Sequence, residues 1–334
     1  GKLHTIVRLG ILHIRNAAQQ AEEPFAMPEF THELSLIPER RRVLLRELAP
    51  DTMARFDTLY PAYTPFPAAA QPDKLPATDA ARRTFLVQHL DAYIAHERGF
   101  DRRAFIHGRN HIVRSFIFAS VMCSILEKAG VPVDRNAVLC GITGHDIGRQ
   151  GAGRDLWEED SARMTVDQMR TDFGTDALGE AYEKELVNNT THQSNTVEGM
   201  ILKAADSLDI GRTQELDLAR MPFLRGKEGE QISEEAKVLR GKLAKEADLL
   251  QRLTNPMCEH RHELQELDKQ LLAHSTDSPL VLEPIMAKRQ QLLHAIAQRF
   301  ESEWELGAEQ FVARIEKTIR DNPQLFPILS ANYQ

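Results

Sequence analysis

From about residue 80 onward, apolar residues recur every three to four positions, and this spacing constrains the fold more than any other feature. Phe85, Leu86 and Leu90 would share one face of a helix with 3.6 residues per turn. A second run with the same spacing extends from Ile112 to Leu126. Segments in which apolar and polar residues alternate, as they do in half-buried strands, are sparse. The sequence therefore predicts an all-α protein.

The chain divides into three regions by composition. Residues 1–80 are rich in proline, above all over 60–76, and predict a short helical start followed by extended chain that wraps over a neighbouring surface. Residues 81–232 carry the helical pattern together with most of the informative polar residues, and we expect an HD-like helical core there. Residues 233–334 carry leucine stripes with charged residues between them, which predicts a helical cap or arm lobe.

Charge and hydropathy exclude several classes of protein. The chain has 49 acidic and 41 basic residues, and this mildly acidic balance argues against non-specific nucleic-acid binding, which needs a basic surface. No stretch approaches the roughly 18 consecutive apolar residues of a membrane helix. The three cysteines form no close pair, which favours a reducing compartment, and no secretory signal is evident. We expect a soluble protein with no membrane segment.

Histidines and acids gather in four short motifs of the central region. His107 and His111 are four residues apart, and Gly108 between them suggests that the helix begins near Asn110, with His107 on the preceding loop. If both histidines lay on the helix, their rings would share one face about a turn apart. With His107 on the loop, the two rings can also come together. Taken alone, such a pair is also compatible with a surface or capping role.

The other motifs follow apolar helices, where a charged group needs a partner. The His145-Asp146 pair ends a helix of small apolar residues, and burying both groups is costly without a metal ion or reciprocal hydrogen bonds. Asp206 follows an apolar run and also requires a cation or a donor. Pairing of Asp206 with Arg212 is the local alternative. Asn189 and His192 form the fourth motif.

The order His…His-Asp…Asp along consecutive helices resembles the HD-domain superfamily of metal-dependent phosphohydrolases. The resemblance covers roughly residues 100–215. It implies that His111 (or His107), His145, Asp146 and Asp206 bind a divalent transition metal such as Mn or Fe. The substrate would then be a nucleotide or a cyclic dinucleotide.

A narrower resemblance extends to the phosphodiesterase domain of SidE-type bacterial effectors, which act on phosphoribosyl-linked ubiquitin. It rests on the HGxxH element of His107 and His111, the HD pair, an acidic turn with a tryptophan, and the NxxH element that ends at His192. It implies that His107 attacks the phosphorus, His192 protonates the leaving group and Glu159 orients a histidine. Glu158 and Asp160 are alternatives to Glu159. A helical cap beside the core is also a feature of that family.

This second resemblance implies a phosphodiesterase that requires no metal. Its partner would be ADP-ribosylated or phosphoribosylated ubiquitin. The protein would act in its own cytoplasm or, after specialised secretion, in that of a host. The positions expected to contact substrate are His111, His145, Asp146, Asn189, Asp206 and three arginines that could grip phosphate oxygens, Arg149, Arg163 and Arg212. A third hypothesis is non-enzymatic, a degenerate HD fold that binds partners through its helical arm.

Overall fold

A computed structural model of the chain describes residues 63–99, 107–128, 131–151, 156–209, 223, 234–275 and 278–333. These residues form helices and no strand, which confirms the predicted all-α class. None of the described helices is both long and apolar enough to cross a membrane. The α-helices are α1 (Asp79–Leu90), α2 (Ala92–Gly99), α3 (Arg109–Lys128), α4 (Arg135–Gly144), α5 (Glu158–Phe173), α6 (Glu180–Thr190), α7 (Val197–Leu208), α8 (Glu234–Thr254), α9 (Pro256–Ala273), α10 (Pro279–Trp304) and α11 (Ala308–Asp321). Two short 3₁₀ helices cover Pro72–Lys74 and Leu329–Tyr333.

Several helices begin where a side chain can accept a hydrogen bond from a free backbone N–H. The Thr78 hydroxyl caps α1, the Asp134 carboxylate caps α4 and the Thr196 hydroxyl caps α7. Helix α3 begins at Arg109, so His107 lies in the turn before it, as Gly108 suggested.

Helix α3 forms the centre of the core. It is buried on almost every side, which explains why its sequence is apolar all round instead of along one stripe. It packs against α4 and α7, and α8 and α11 also contact it. A second, smaller core lies between α4, α5 and α6.

The part of the predicted wrap that the structure describes crosses the connection between α5 and α6. The backbone N–H of Ala70 donates to the Leu178 carbonyl at 3.1 Å, and that of Gln71 donates to the Ala177 carbonyl at 3.0 Å. The remainder, residues 1–62, lies outside the described residues.

The packing of the C-terminal region differs from the predicted division at residue 233. Helices α8 and α11 contribute to the same core as α3, through residues such as Leu243 and Phe311. The hairpin of α9 and α10 instead has a small apolar cluster of its own, around Ile296 and Phe300. Extended backbone at Gly307 separates α10 from α11.

Candidate active site

Three imidazoles and three carboxylates meet where α3 begins and where α4 and α7 end. His107 comes from the turn before α3, and His111 from the first turn of α3. His145 caps the C-terminus of α4 and Asp146 follows it. The last turn of α7 supplies the carboxylate of Asp206, and Asp209 follows at the C-cap of that helix. The site is therefore built from helix ends that only the tertiary fold brings together.

The Nε2 atoms of His111 and His145 lie close to each other and to one oxygen each of Asp146 and Asp206. The distances from His111 Nε2 are 3.1 Å to His145 Nε2, 3.3 Å to Asp206 Oδ1 and 3.5 Å to Asp146 Oδ2. From His145 Nε2 to each of the same two carboxylate oxygens the distance is 3.6 Å. The four residues of the predicted metal set therefore come together.

The hydrogen bonds at the far side of each ring determine its tautomer. His145 Nδ1 lies 2.7 Å from the Ile142 carbonyl oxygen, and His111 Nδ1 lies 2.8 Å from Asp209 Oδ2. Both oxygens accept, so each Nδ1 must carry the proton. The two Nε2 lone pairs then point toward each other and toward two carboxylates, an arrangement that is unfavourable unless a cation lies between them.

These distances fit the requirements of a metal site. Donor atoms bound about 2.1 Å from one divalent metal lie about 3.0 Å apart at octahedral angles and about 3.4 Å apart at tetrahedral angles. These five distances fall close to that range. Two overlapping sets of donor atoms lie within 4.8 Å of one another, one from His107, His111 and Asp146 and the other from His111, His145 and Asp206. Metal-binding histidines almost always donate their other N–H to a carboxylate or a carbonyl, as both do here. Two nitrogen and two carboxylate ligands suit a transition metal such as Mn, Fe or Zn.

The pKa shifts in the cluster report strong attraction between its imidazoles and its carboxylates. Burial disfavours the charged form of His145, but the charges of Asp146 and Asp206 outweigh burial and raise the pKa of the imidazole to about 9. Burial would raise the pKa of Asp146, yet His145 and His107 hold it well below its usual range. The pKa of Asp206 is lowered in the same way by His111 and His145. The site favours a cation, either a proton on His145 or a metal in its place.

His107 takes a different position from the other two histidines. Its Nδ1 lies 2.6 Å from Asp146 Oδ2, and its side chain is 21% exposed, whereas that of His111 is fully buried. A carboxylate on Nδ1 orients an imidazole and raises the basicity of Nε2, as in the Ser-His-Asp triad. Asp146 therefore does for His107 what the sequence assigned to Glu159.

Helix α2 supports the turn that carries the HD pair. The Tyr93 hydroxyl donates to the Thr143 carbonyl at 2.7 Å, and His96 Nε2 lies 3.0 Å from the Asp146 carbonyl. The Glu97 carboxylate accepts from the Arg109 backbone N–H and from Trp304 Nε1, both at 2.7 Å. These bonds fix the first turn of α3 and the end of α4 relative to each other.

The contact between Glu97 and the start of α3 leaves no room for a side chain at Gly108. A Cβ at Gly108 would lie 2.8 Å from Glu97 Cδ and still closer to Glu97 Oε1. We expect Gly108→Ala to move the Glu97 carboxylate off the start of α3 and to destabilise the protein by roughly 1–3 kcal/mol. Urea unfolding with circular dichroism measures the change.

Gly241, inside α8, is the matched control because nothing lies within 4 Å of a Cβ built there. Gly241→Ala should stabilise the protein by up to about 1 kcal/mol through helix propensity. Equal effects of the two substitutions would contradict the proposed role of Gly108.

The structure places Glu159 and Arg163 together but on the surface. They form an ion pair one turn apart on α5, and their side chains are 67% and 66% exposed. Among the described residues, the hydrogen-bond partner of Glu159 is thus Arg163. The two side chains are exposed because the first turn of α5 presents them to solvent. The spacing of residues in the sequence could not show which way this turn faces.

The remaining residues that were predicted to contact substrate lie in different environments from one another. Arg149 is buried beside the cluster, with NH1 3.8 Å from Asp146 Oδ1 and its guanidinium over the Trp157 ring. Asn189 is buried at the end of α6, where its Oδ1 accepts from the Thr196 hydroxyl at 3.0 Å. Arg212 lies outside the described residues.

His192 has an unusual backbone conformation. It follows α6 with a φ of 57°, in the left-handed region. The Gln193 N–H donates to the Asn188 carbonyl and the His192 N–H to the Asn189 carbonyl, the bond pattern of a Schellman motif. His192 occupies the position that glycine usually takes. A residue other than glycine in this conformation is more common at functional sites.

Sequence reasoning did not assign a role to Asp209, which contacts His111, or to Arg114, which contacts Asp209. Asp209 accepts from His111, and Arg114 donates to both oxygens of Asp209 at 2.7 and 3.0 Å. A signal was present in the spacing, because Asp209 follows Asp206 by three residues and Arg114 follows His111 by three. Residues three apart share a helix face.

Comparison of the chain with protein-family models, with curated proteins and with solved structures found no match.

Proposed function

We propose that this protein hydrolyses a phosphoester at the histidine and aspartate cluster, and that His111, His145, Asp146 and Asp206 bind one divalent transition metal there. The observation that supports this most is the 3.1 Å distance between His111 Nε2 and His145 Nε2. Both rings have their Nδ1 proton directed to an oxygen, so the close approach is favourable only with a cation in the cluster, and a metal takes the place that a proton on His145 would otherwise fill.

The cluster has the groups that phosphoester hydrolysis needs. A divalent metal, when bound, supplies Lewis acidity that polarises a phosphoryl oxygen. His107, oriented by Asp146, is positioned to accept a proton at Nε2. Arg149 places a buried positive charge beside Asp146, where it can attract an anionic substrate.

The substrate that we propose is a phosphodiester linked to ubiquitin, either ADP-ribosyl or phosphoribosyl, and its support is the resemblance of the His107 to His192 motifs to SidE-type phosphodiesterase domains. A nucleotide or a cyclic dinucleotide is the alternative that the simpler H…HD…D pattern supports. Hydrolysis of either class requires attack at a phosphorus atom and cleavage of a P–O bond, so the groups required of the cluster are similar.

A second candidate mechanism is hydrolysis by histidines without a metal. The short 2.6 Å contact between His107 Nδ1 and Asp146 favours it, because an oriented and more exposed imidazole is suited to act as a nucleophile. His192 would then protonate the leaving group. The two candidates differ in whether activity depends on metal.

The experiment that distinguishes them uses the full chain purified without chelator. Metal content is measured by mass spectrometry. Release of AMP from ADP-ribosylated ubiquitin, and of modified ubiquitin from a phosphoribosyl-linked protein, is followed before and after dialysis against EDTA, with a cyclic dinucleotide as a third substrate. We expect close to one bound metal, loss of activity on chelation and recovery with Mn²⁺.

Each other outcome has a distinct meaning. Full activity of the metal-free protein would contradict the metal site and support the histidine mechanism. No hydrolysis of any of the three substrates with Mn²⁺ present would contradict the proposed enzyme and favour a binding module.

A further inference from the structure

A completely buried ion pair lies directly behind His111, outside the ring of donor atoms. Arg114 Nε donates to Asp209 Oδ1 at 2.7 Å and Arg114 NH2 donates to Oδ2 at 3.0 Å, with both side chains 0% exposed. Asp209 Oδ2 also accepts from His111 Nδ1 at 2.8 Å. We propose that Arg114 and Asp209 are positioning residues that hold His111 in the tautomer and orientation that metal binding needs. This inference rests on the proposed function.

Two helices provide this arrangement by matched spacing. His111 and Arg114 are three residues apart on α3, and Asp206 and Asp209 are three apart at the end of α7. The inner pair, His111 and Asp206, faces the cluster at 3.3 Å, and the outer pair forms the bidentate contact. The crossing of α3 and α7 thus positions both the donor atoms of the inner pair and the ion pair behind them.

Stability alone does not account for the ion pair. A buried salt bridge contributes little net stability, and apolar residues of similar volume often serve equally well or better. Apolar residues cannot accept a hydrogen bond from His111 Nδ1. The carboxylate of Asp209 requires that His111 Nδ1 be the protonated nitrogen, which leaves the Nε2 lone pair facing the cluster.

Arg114 has two further functions in this arrangement. Its positive charge balances Asp209, so that a buried acid can lie behind the site without an unpaired charge. Its NH1 atom also lies 3.3 Å from the Thr254 hydroxyl and 3.4 Å from Asn110 Oδ1. The guanidinium is thereby held from α8 and α3, and it fixes the carboxylate against which His111 rests.

The test removes both charges at once. In the double variant Arg114→Met with Asp209→Leu, no unpaired charge remains, so we expect a folded protein with a stability close to that of the wild type. Binding of Mn²⁺ or Zn²⁺ to the metal-free protein, measured by calorimetry, should weaken by about 10- to 100-fold, as for other residues behind metal ligands.

A spectroscopic measurement tests the tautomer without any metal or activity. In protein labelled with ¹⁵N-histidine, the His111 signals are assigned by their loss in His111→Gln. We expect wild-type His111 with the proton on Nδ1 only, and a mixture of tautomers in the double variant. If wild-type protein bound no metal, the metal site would be wrong, but this measurement would still decide the role of Asp209.

Two further variants complete the experiment. Asp209→Asn conserves volume and tests the same point if the double variant does not fold. Arg170→Gln with Glu183→Gln removes another bidentate pair, far from any metal ligand in sequence, and should leave metal affinity unchanged. Wild-type metal affinity together with an unchanged His111 tautomer, in whichever of the first two variants folds, would overturn the proposal.

Discussion

Replacement of Asp146 by asparagine is expected to lower kcat by roughly 10³- to 10⁴-fold, comparable to the loss when the aspartate of a catalytic triad is replaced. The carboxylate has two roles at once. Its Oδ2 accepts from His107 Nδ1 at 2.6 Å and lies 3.5 and 3.6 Å from the Nε2 atoms of His111 and His145. Asparagine keeps the size of the side chain but removes its charge, which weakens both functions. Steady-state hydrolysis of ADP-ribosylated ubiquitin measures the loss.

A second pair of histidine and aspartate supplies the control. His89 Nε2 lies 2.7 Å from Asp172 Oδ2, and both residues are remote in sequence from the cluster. Asp172→Asn should leave kcat unchanged, because it removes a similar contact from a place with no assigned chemistry. If Asp146→Asn kept more than about a tenth of the wild-type kcat, Asp146 would not have the central role that we assign to it.

Replacement of His192 by glycine is expected to make the protein more stable and less active. Relief of the left-handed conformation, worth about 1–2 kcal/mol, outweighs the entropic cost of glycine, about 0.5–1 kcal/mol, so a net gain of roughly 0.5–1 kcal/mol follows. In the second candidate mechanism, where His192 protonates the leaving group, its loss would at the same time lower kcat by about 10²- to 10⁴-fold. Thermal unfolding and the hydrolysis assay measure the two effects on one sample.

The same substitution inside a helix should have the opposite effect on stability. His294 is exposed on α10, where glycine costs backbone entropy without relieving any strain, so His294→Gly should destabilise that helix by up to about 1 kcal/mol. We expect it to leave kcat unchanged. If His192→Gly were as active as the wild type, His192 would not be the proton donor, and the left-handed conformation would have only a structural explanation.

The sequence predicted the features that depend on local spacing. A period of three to four residues requires helices, and the capping residues Thr78 and Asp134 mark where two of them begin. Gly108 predicted that His107 precedes the helix that carries His111, and this was confirmed. The H…HD…D order also named the four residues whose donor atoms the structure brings within 3.6 Å of His111 or His145.

Only the tertiary structure could show which residues that are distant in sequence contact each other. Asp146 lies against His107, 39 positions away, because the angle at which each helix end enters the site determines which side chains meet. Asp209 reaches His111 across 98 positions of sequence. Periodicity records which face of a helix is buried, but it contains no information about which other helix covers that face. The sequence therefore named the donor residues of the cluster, whereas packing set their geometry.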